Sequence, residues 1–166
     1  MDSIVFSMND ANPFYETIAL PVLLRHARNT YGAAMRQALA EAGYDDIPGN
    51  GLYVIGGLAL NREDIPLSQL IKELRISKQA AGQLVDTLVT RGYLERATDK
   101  DDRRKLTVTL TERGRAAAAA QSAGRAKVDA ELLASVGDDD MKRTRRTLAV
   151  LCDIGAQRLS EADDSD

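Results

Sequence analysis

Apolar residues recur at helical spacing through the first third of the chain. Leu20, Leu24, Ala27, Tyr31, Met35 and Leu39 fall on one face of a helix predicted over residues 14–43. Pro21 is tolerated only in a first turn or at a kink, so the main helix is expected to start, or bend, near Leu20. Gly43 and the stretch DDIPGNG make a stop and a loop. The next segment, LYVIGGLALN (residues 52–61), is short and apolar. Its β-branched residues would allow a strand, but paired Gly56 and Gly57 favour a buried helix. Pro66-Leu67-Ser68 is expected to open a further helix, with Ser68 as N-cap and Leu70, Ile71 and Leu74 inward. Arg75-Ile76 makes a turn. Ser77 then caps a helix whose inner face is Ala81, Leu84, Val85 and Leu88, closed by Gly92.

From Tyr93 the period changes from helical to alternating. Residues 93–97 read as a short strand, and residues 105–110 alternate strictly, with Leu106, Val108 and Leu110 on one face and Lys105, Thr107 and Thr109 on the other. The turn between them is DKDDRRK. Thr111 caps an alanine-rich helix over residues 113–136, whose small side chains allow close approach of another helix. Gly137 and the acids Asp138 to Asp140 make a turn, and residues 141–159 form the last helix. Helix, helix, then a basic hairpin is the layout of a winged helix-turn-helix. The fold class expected is therefore mainly α with a small β-hairpin wing, carrying N- and C-terminal dimerisation helices. The parts are a flexible arm (1–13), a helical dimerisation region (14–47 and 112–160), a winged region (48–111) and a disordered acidic tail (161–166). The terminal helices each carry an apolar stripe. Packing them together, and then against a second copy, is the simplest way to bury all of them, and a two-fold axis suits two half-sites about one helical turn apart.

Composition adds little until it is mapped. The net charge of −3 does not by itself suggest nucleic acid, but residues 68–115 carry +4 and the remainder −7. A basic middle in an acidic chain is the electrostatic footprint of a DNA reader, and the acidic remainder argues against a coating protein held by phosphate contacts alone. No apolar run approaches the ~18 residues of a membrane span, and the first residues lack the pattern of a secretion signal, so no membrane partner and a cytoplasmic location are expected. The single cysteine, Cys152, excludes an intramolecular disulfide. One histidine and one cysteine cannot close a zinc sphere, and the phosphate-binding and nucleophile-elbow glycine patterns are missing. The expectation is a non-enzyme with no cofactor and no metal.

The chemistry sits on two elements. On the helix capped at Ser77, the outward positions are Ser77, Lys78, Gln79, Gly82, Gln83, Asp86 and Thr87. Gln can pair with adenine through two hydrogen bonds, Lys reaches guanine or phosphate, and a serine at a helix N-terminus suits a phosphate. At the hairpin tip, Lys100, Arg103, Arg104 and Lys105 lie among Asp99, Asp101 and Asp102. Arginine there can enter the narrow, negative minor groove, while a solvated turn of mutually paired charges is the bland alternative.

These residues also resemble the MarR family of bacterial transcription regulators over roughly residues 20–159. Three adjoining pieces carry the likeness: LSQLIKELRISKQAAGQLVDTLVTRGYLER, then DDRRKLTVTLT, then Glu112-Arg113-Gly114-Arg115. The resemblance implies a triangular homodimer on double-stranded, pseudo-palindromic operators, acting as a repressor, with release by a small phenolic or other aromatic ligand, or by an oxidant, in many members. It also implies Arg104 as the minor-groove residue and Asp102 as its intramolecular brace. Where many members have a hydroxyl residue and an arginine, this chain has Gly82 and Gln83. For an effector pocket the candidates are Tyr15, His26, Tyr31 and Tyr53, each of which can equally be an interface or packing residue. Cys152 reads as a redox sensor or a buried thiol. Its apolar neighbours, with no basic cluster beside it in sequence, favour the buried thiol.

Overall fold

The computed structural model describes residues 14–60, 65, 66, 77–98 and 106–163. The arm, the helix expected from Ser68 and the DKDDRRK turn lie outside the described residues. The chain divides into two compact units, Met1–Arg125 and Ala126–Asp166.

The first unit begins with a single turn, α1 (Phe14–Thr17), and the long α2 (Leu20–Glu41). Pro21 sits in the first turn of α2, where its missing N–H costs nothing. The apolar stripe of α2 is buried only in its second half, at Met35 and Leu39, whereas Leu20 is exposed. The loop after α2 leads to α3 (Gly51–Leu60), the apolar segment, which is a helix as its paired glycines favoured. Its Leu52, Val54, Ile55 and Leu58 are buried.

A two-residue strand, β1 (Ile65–Pro66), was not foreseen. Pro66, two residues before the N-cap expected at Ser68, lies opposite Thr107 in a sheet. Two residues are too few for an alternating pattern, and an edge strand tolerates a proline. After it come α4 (Lys78–Thr90), β2 (Leu94–Thr98) and β3 (Leu106–Leu110). The sheet order is β1-β3-β2, all antiparallel, with Leu94 opposite Leu110 and Thr98 opposite Leu106. Because β3 is central, Thr107 is buried rather than facing water as the alternation implied.

The last element, α5 (Glu112–Asp163), starts in the first unit. There Ala117 and Ala118 join the core of Leu39, Ile55, Val85, Leu88, Tyr93, Leu94 and Val108. Gly124 lies so close to α2 that a Cβ on it would stand 2.6 Å from the Ala34 carbonyl oxygen and 2.9 Å from Ala38 Cβ. The small residues of α5 therefore do set a close helix–helix approach.

Residues 126–163 of α5 make the second unit. The break expected at Gly137 is present, and it divides α5 into two helices across a kink. Gly137 takes φ 79° and ψ 171°, which L side chains rarely adopt, and the helix resumes at once. Asp138 pairs with Lys142, and Asp140 with Arg143 at 3.2 Å. The helix continues to Asp163, three residues into the span expected to be an acidic tail. Leu132, Leu133, Val136, Leu148, Leu151 and Ile154 are exposed in the single chain. Cys152 is exposed among them, so the buried-thiol reading is corrected: its apolar neighbours are themselves uncovered. None of the described helices is long and apolar enough to cross a membrane.

Candidate nucleic-acid interface

The helix α4 is set up at both ends by its own sequence. At the start, Ser77 is extended (φ −60°, ψ 151°) and its Oγ accepts the Ala80 N–H at 3.1 Å, a cap worth about 1 kcal/mol. At the end, Gly92 (φ 74°) reverses the chain, its N–H donating to the Val89 carbonyl and that of Tyr93 to the Leu88 carbonyl, each at 2.9 Å. That pair of bonds is a Schellman motif. Ala81, Leu84, Val85 and Leu88 are buried, as their spacing requires.

The opposite face is polar and open. Ser77, Lys78, Gln79 and Gln83 are exposed, and Gly82 and Thr87 are half-buried. The Thr87 hydroxyl donates to the Gln83 carbonyl at 2.8 Å, which leaves it only as an acceptor toward a ligand. Gly82 has nothing within 4 Å of where a Cβ would stand, so the interior does not demand glycine there. Asp86 pairs with Arg96 of β2. Arg96 went unnoticed in the sequence, because only the strand's place beside α4 brings it to the helix. The wing residues Lys100, Asp102, Arg103, Arg104 and Lys105 lie outside the described residues.

A cavity of about 500 Å³ opens between α2 and α3, lined by Leu24, Arg25, Arg28, Asn29, Arg36, Gly49, Asn50 and Tyr53. Of the four pocket candidates, Tyr53 is in this wall, while Tyr15, His26 and Tyr31 are not. Three arginines are there instead, with no carboxylate among the lining residues. Arg28 is held ready: its Nε donates to the Tyr53 hydroxyl at 2.8 Å and its guanidinium lies 4.5 Å from that ring's centroid. A sequence signal existed. Arg25, Arg28 and Arg36 are three and eleven residues apart, about one and three helical turns. Among the described residues no group of three His, Cys, Asp or Glu side chains could hold a metal ion.

Behind α4, Tyr93 is buried, and burial first, then its hydrogen bond to Asp46, pushes the phenol up to about 12 from 10.0. The same hydrogen bond, ahead of the Arg113 charge, holds the Asp46 carboxyl below its usual 3.8. A raised phenol pKa means that the folded state holds the proton more tightly. This stabilisation is complete below pH 10 and is lost as the pH rises toward about 12. The cost of Tyr93→Phe should therefore still be full at pH 9, and its gap from the parent should narrow by pH 12. Denaturant melts across that range check this, and a constant gap would refute it.

A small β-hairpin beside a capped helix with a polar outer face defines a winged helix. The MarR family's sequence model matches residues 45–105. Over those residues the chain is similar to the MarR family of DNA-binding transcription regulators. Solved structures agree on the fold. The FabT protein of Streptococcus pneumoniae, in complex with DNA, superposes with a TM-score of 0.69 at 19% identity, over 82% of this chain and 94% of that one. S. aureus MepR, in its DNA-binding conformation, gives 0.68 at 16% identity, over 82% and 98%. NadR, in complex with 4-hydroxyphenylacetate, gives 0.66 at 19% identity, over 81% and 92%. No curated protein matches the chain in sequence.

Proposed function

We propose that the protein is a DNA-binding transcription regulator that acts in the cytoplasm as a homodimeric repressor on a pseudo-palindromic operator. The observation that carries this reading is the outer face of α4, where exposed Lys78, Gln79 and Gln83 follow the Ser77 cap on a helix whose other side is buried. Lys78 contacts phosphate or guanine, Gln79 and Gln83 read bases, and the wing arginines Arg103 and Arg104, with Lys100 and Lys105, enter the minor groove beside them, Asp102 bracing Arg104. The exposed apolar side chains of residues 132–154 and Leu20 support a dimer, since a second copy would cover them. The protein has no catalytic role in this reading.

Effector release is the second part of the proposal, favoured by the arginine-lined cavity. Three guanidiniums and a tyrosine ring without a carboxylate suit a small aromatic anion. NadR, whose fold this chain shares, was crystallised with such a molecule.

The test is a binding titration on the duplex upstream of the protein's own coding region, against a scrambled duplex, at two salt concentrations. Tight, sequence-preferring and salt-sensitive binding is the expected result. An absence of binding even at low salt would replace the reading with that of a winged-helix module that docks another protein.

A further inference from the structure

Two helices end the same way and deliver the same residue to the same place. After α2, Gly43 (φ 79°) donates to the Ala40 carbonyl at 3.1 Å, and Tyr44 to the Leu39 carbonyl at 2.8 Å. This is again a Schellman motif, matching the one after α4 at Gly92 and Tyr93. The two tyrosines meet edge to face, their centroids 6.2 Å apart at 72°. Arg113, in the first turn of α5, lies over both rings, 4.6 Å from Tyr93 and 5.4 Å from Tyr44. Its Nη2 donates to the Tyr93 hydroxyl at 2.9 Å and sits 3.5 Å from Asp46 Oδ1. The Tyr93 hydroxyl in turn donates to Asp46 Oδ1, and Arg91, the C-cap of α4, donates to the Asp46 carbonyl. One acidic residue in the loop before α3 thus gathers the end of α4, the entry to β2 and the start of α5.

We propose that Asp46 and Arg113 are positioning residues for DNA recognition, fixing the axis of α4 through Tyr93 and Arg91. This rests on the reading of α4 as the recognition helix. The buried face of α4 holds it on the lobe, but apolar packing is non-directional and leaves tilt and rotation soft. Hydrogen bonds are directional and resist both. The leverage is large. A helix of 13 residues is about 20 Å long, so a 10° swing about its anchored end moves the other end by about 3 Å. Lys78 and Gln79 lie at that far end, with Gln83 near the middle of the helix moving by about 2 Å, and shifts of this size are enough to break a base contact. None of the side chains of the cluster needs to touch DNA for this to operate.

The experiment is a double-mutant cycle of Asp46→Asn and Arg113→Gln, with Tyr93→Phe alongside, in the full-length protein. The probe is a duplex that the wild type selects from a random-sequence pool, with a scrambled duplex as reference. All measurements are made well below the unfolding midpoints. Each single change should weaken binding to the selected duplex about tenfold. The double variant should lose less than the product, because both act through one cluster. Affinity for the scrambled duplex and the salt slope should stay unchanged. A shift in melting temperature with selected-duplex affinity intact would reduce the cluster to a stabilising role and overturn the proposal. So would a salt slope lowered by about one in the Arg113 variant, the mark of a direct phosphate contact. If Arg113→Gln fails to fold, Asp46→Asn and Tyr93→Phe give the cycle instead. A wild type that selects no duplex would defeat the reading of α4 itself, a different failure from a wild type that binds and variants that bind equally well.

Discussion

Gly114→Ala should lower the melting midpoint by about 10 °C, from a cost of about 3 kcal/mol. A Cβ at Gly114 would stand against the Tyr93 carbonyl oxygen, closer than real Cβ contacts come, and within 3.0 Å of Leu110 Cδ2. Its nearest neighbour is backbone, so no side-chain rotation relieves the clash. The backbone in question is also held from several sides. Thr111 donates its N–H to the Tyr93 carbonyl at 3.1 Å and its hydroxyl to the Gly92 carbonyl at 2.6 Å, and its Oγ accepts the Gly114 N–H at 3.0 Å. The first turn of α5 is thereby stitched onto the turn that ends α4, and a methyl group would drive the two apart. Thermal melts by circular dichroism read the effect directly. Gly57→Ala, where a Cβ meets nothing within 4 Å, is the control. Equal midpoints for the two variants would refute the close approach.

The second large effect concerns discrimination. Gln79→Ala with Gln83→Ala should cut the preference for the selected duplex over a scrambled one by at least about 30-fold, since each good bidentate pair contributes about 1–3 kcal/mol and two are removed. Lys78→Ala should instead weaken both duplexes alike and lower the salt slope by about one. The contrast follows from position. All three side chains are exposed on one short stretch after the Ser77 cap, so the substitutions leave the buried side of α4 untouched and act only at the proposed DNA contact. A double glutamine variant that keeps its full preference would move base reading elsewhere.

What could be read from the chain alone was whatever local chemistry controls. Ser77 as a cap, Gly43 and Gly92 as stops, Pro21 in a first turn and the inner face of α4 all depend on residues within a turn of one another. Contacts between distant residues left no such trace. The pairing of β1 with β3 joins Ile65 to Val108, and nothing in two residues announces a strand. Asp46 meets Tyr93 across 47 positions, and the two Gly-Tyr pairs that bring the rings together read only as helix ends. Arg25, Arg28 and Arg36 share a cavity wall, and their spacing on α2 marks one side of the helix without showing what that side faces. Exposure was the other weak point. The apolar surroundings of Cys152 implied burial, but in one chain that stretch of α5 is uncovered. Pattern shows which side of a helix is apolar, not what covers it.

Gly82 leaves room for change over evolutionary time. It stands on the outward side of α4, and a Cβ there would meet no atom of the chain. Replacing it would raise helix propensity by about 1 kcal/mol and place a new side chain on the face proposed to read DNA. Most positions that touch a ligand are constrained by the fold, so a change in preference there risks stability. At position 82 the two are uncoupled. If that face reads a promoter as proposed, a lineage carrying this chain can follow the promoter as it drifts, or divide its duties after duplication, by single substitutions that the interior does not register.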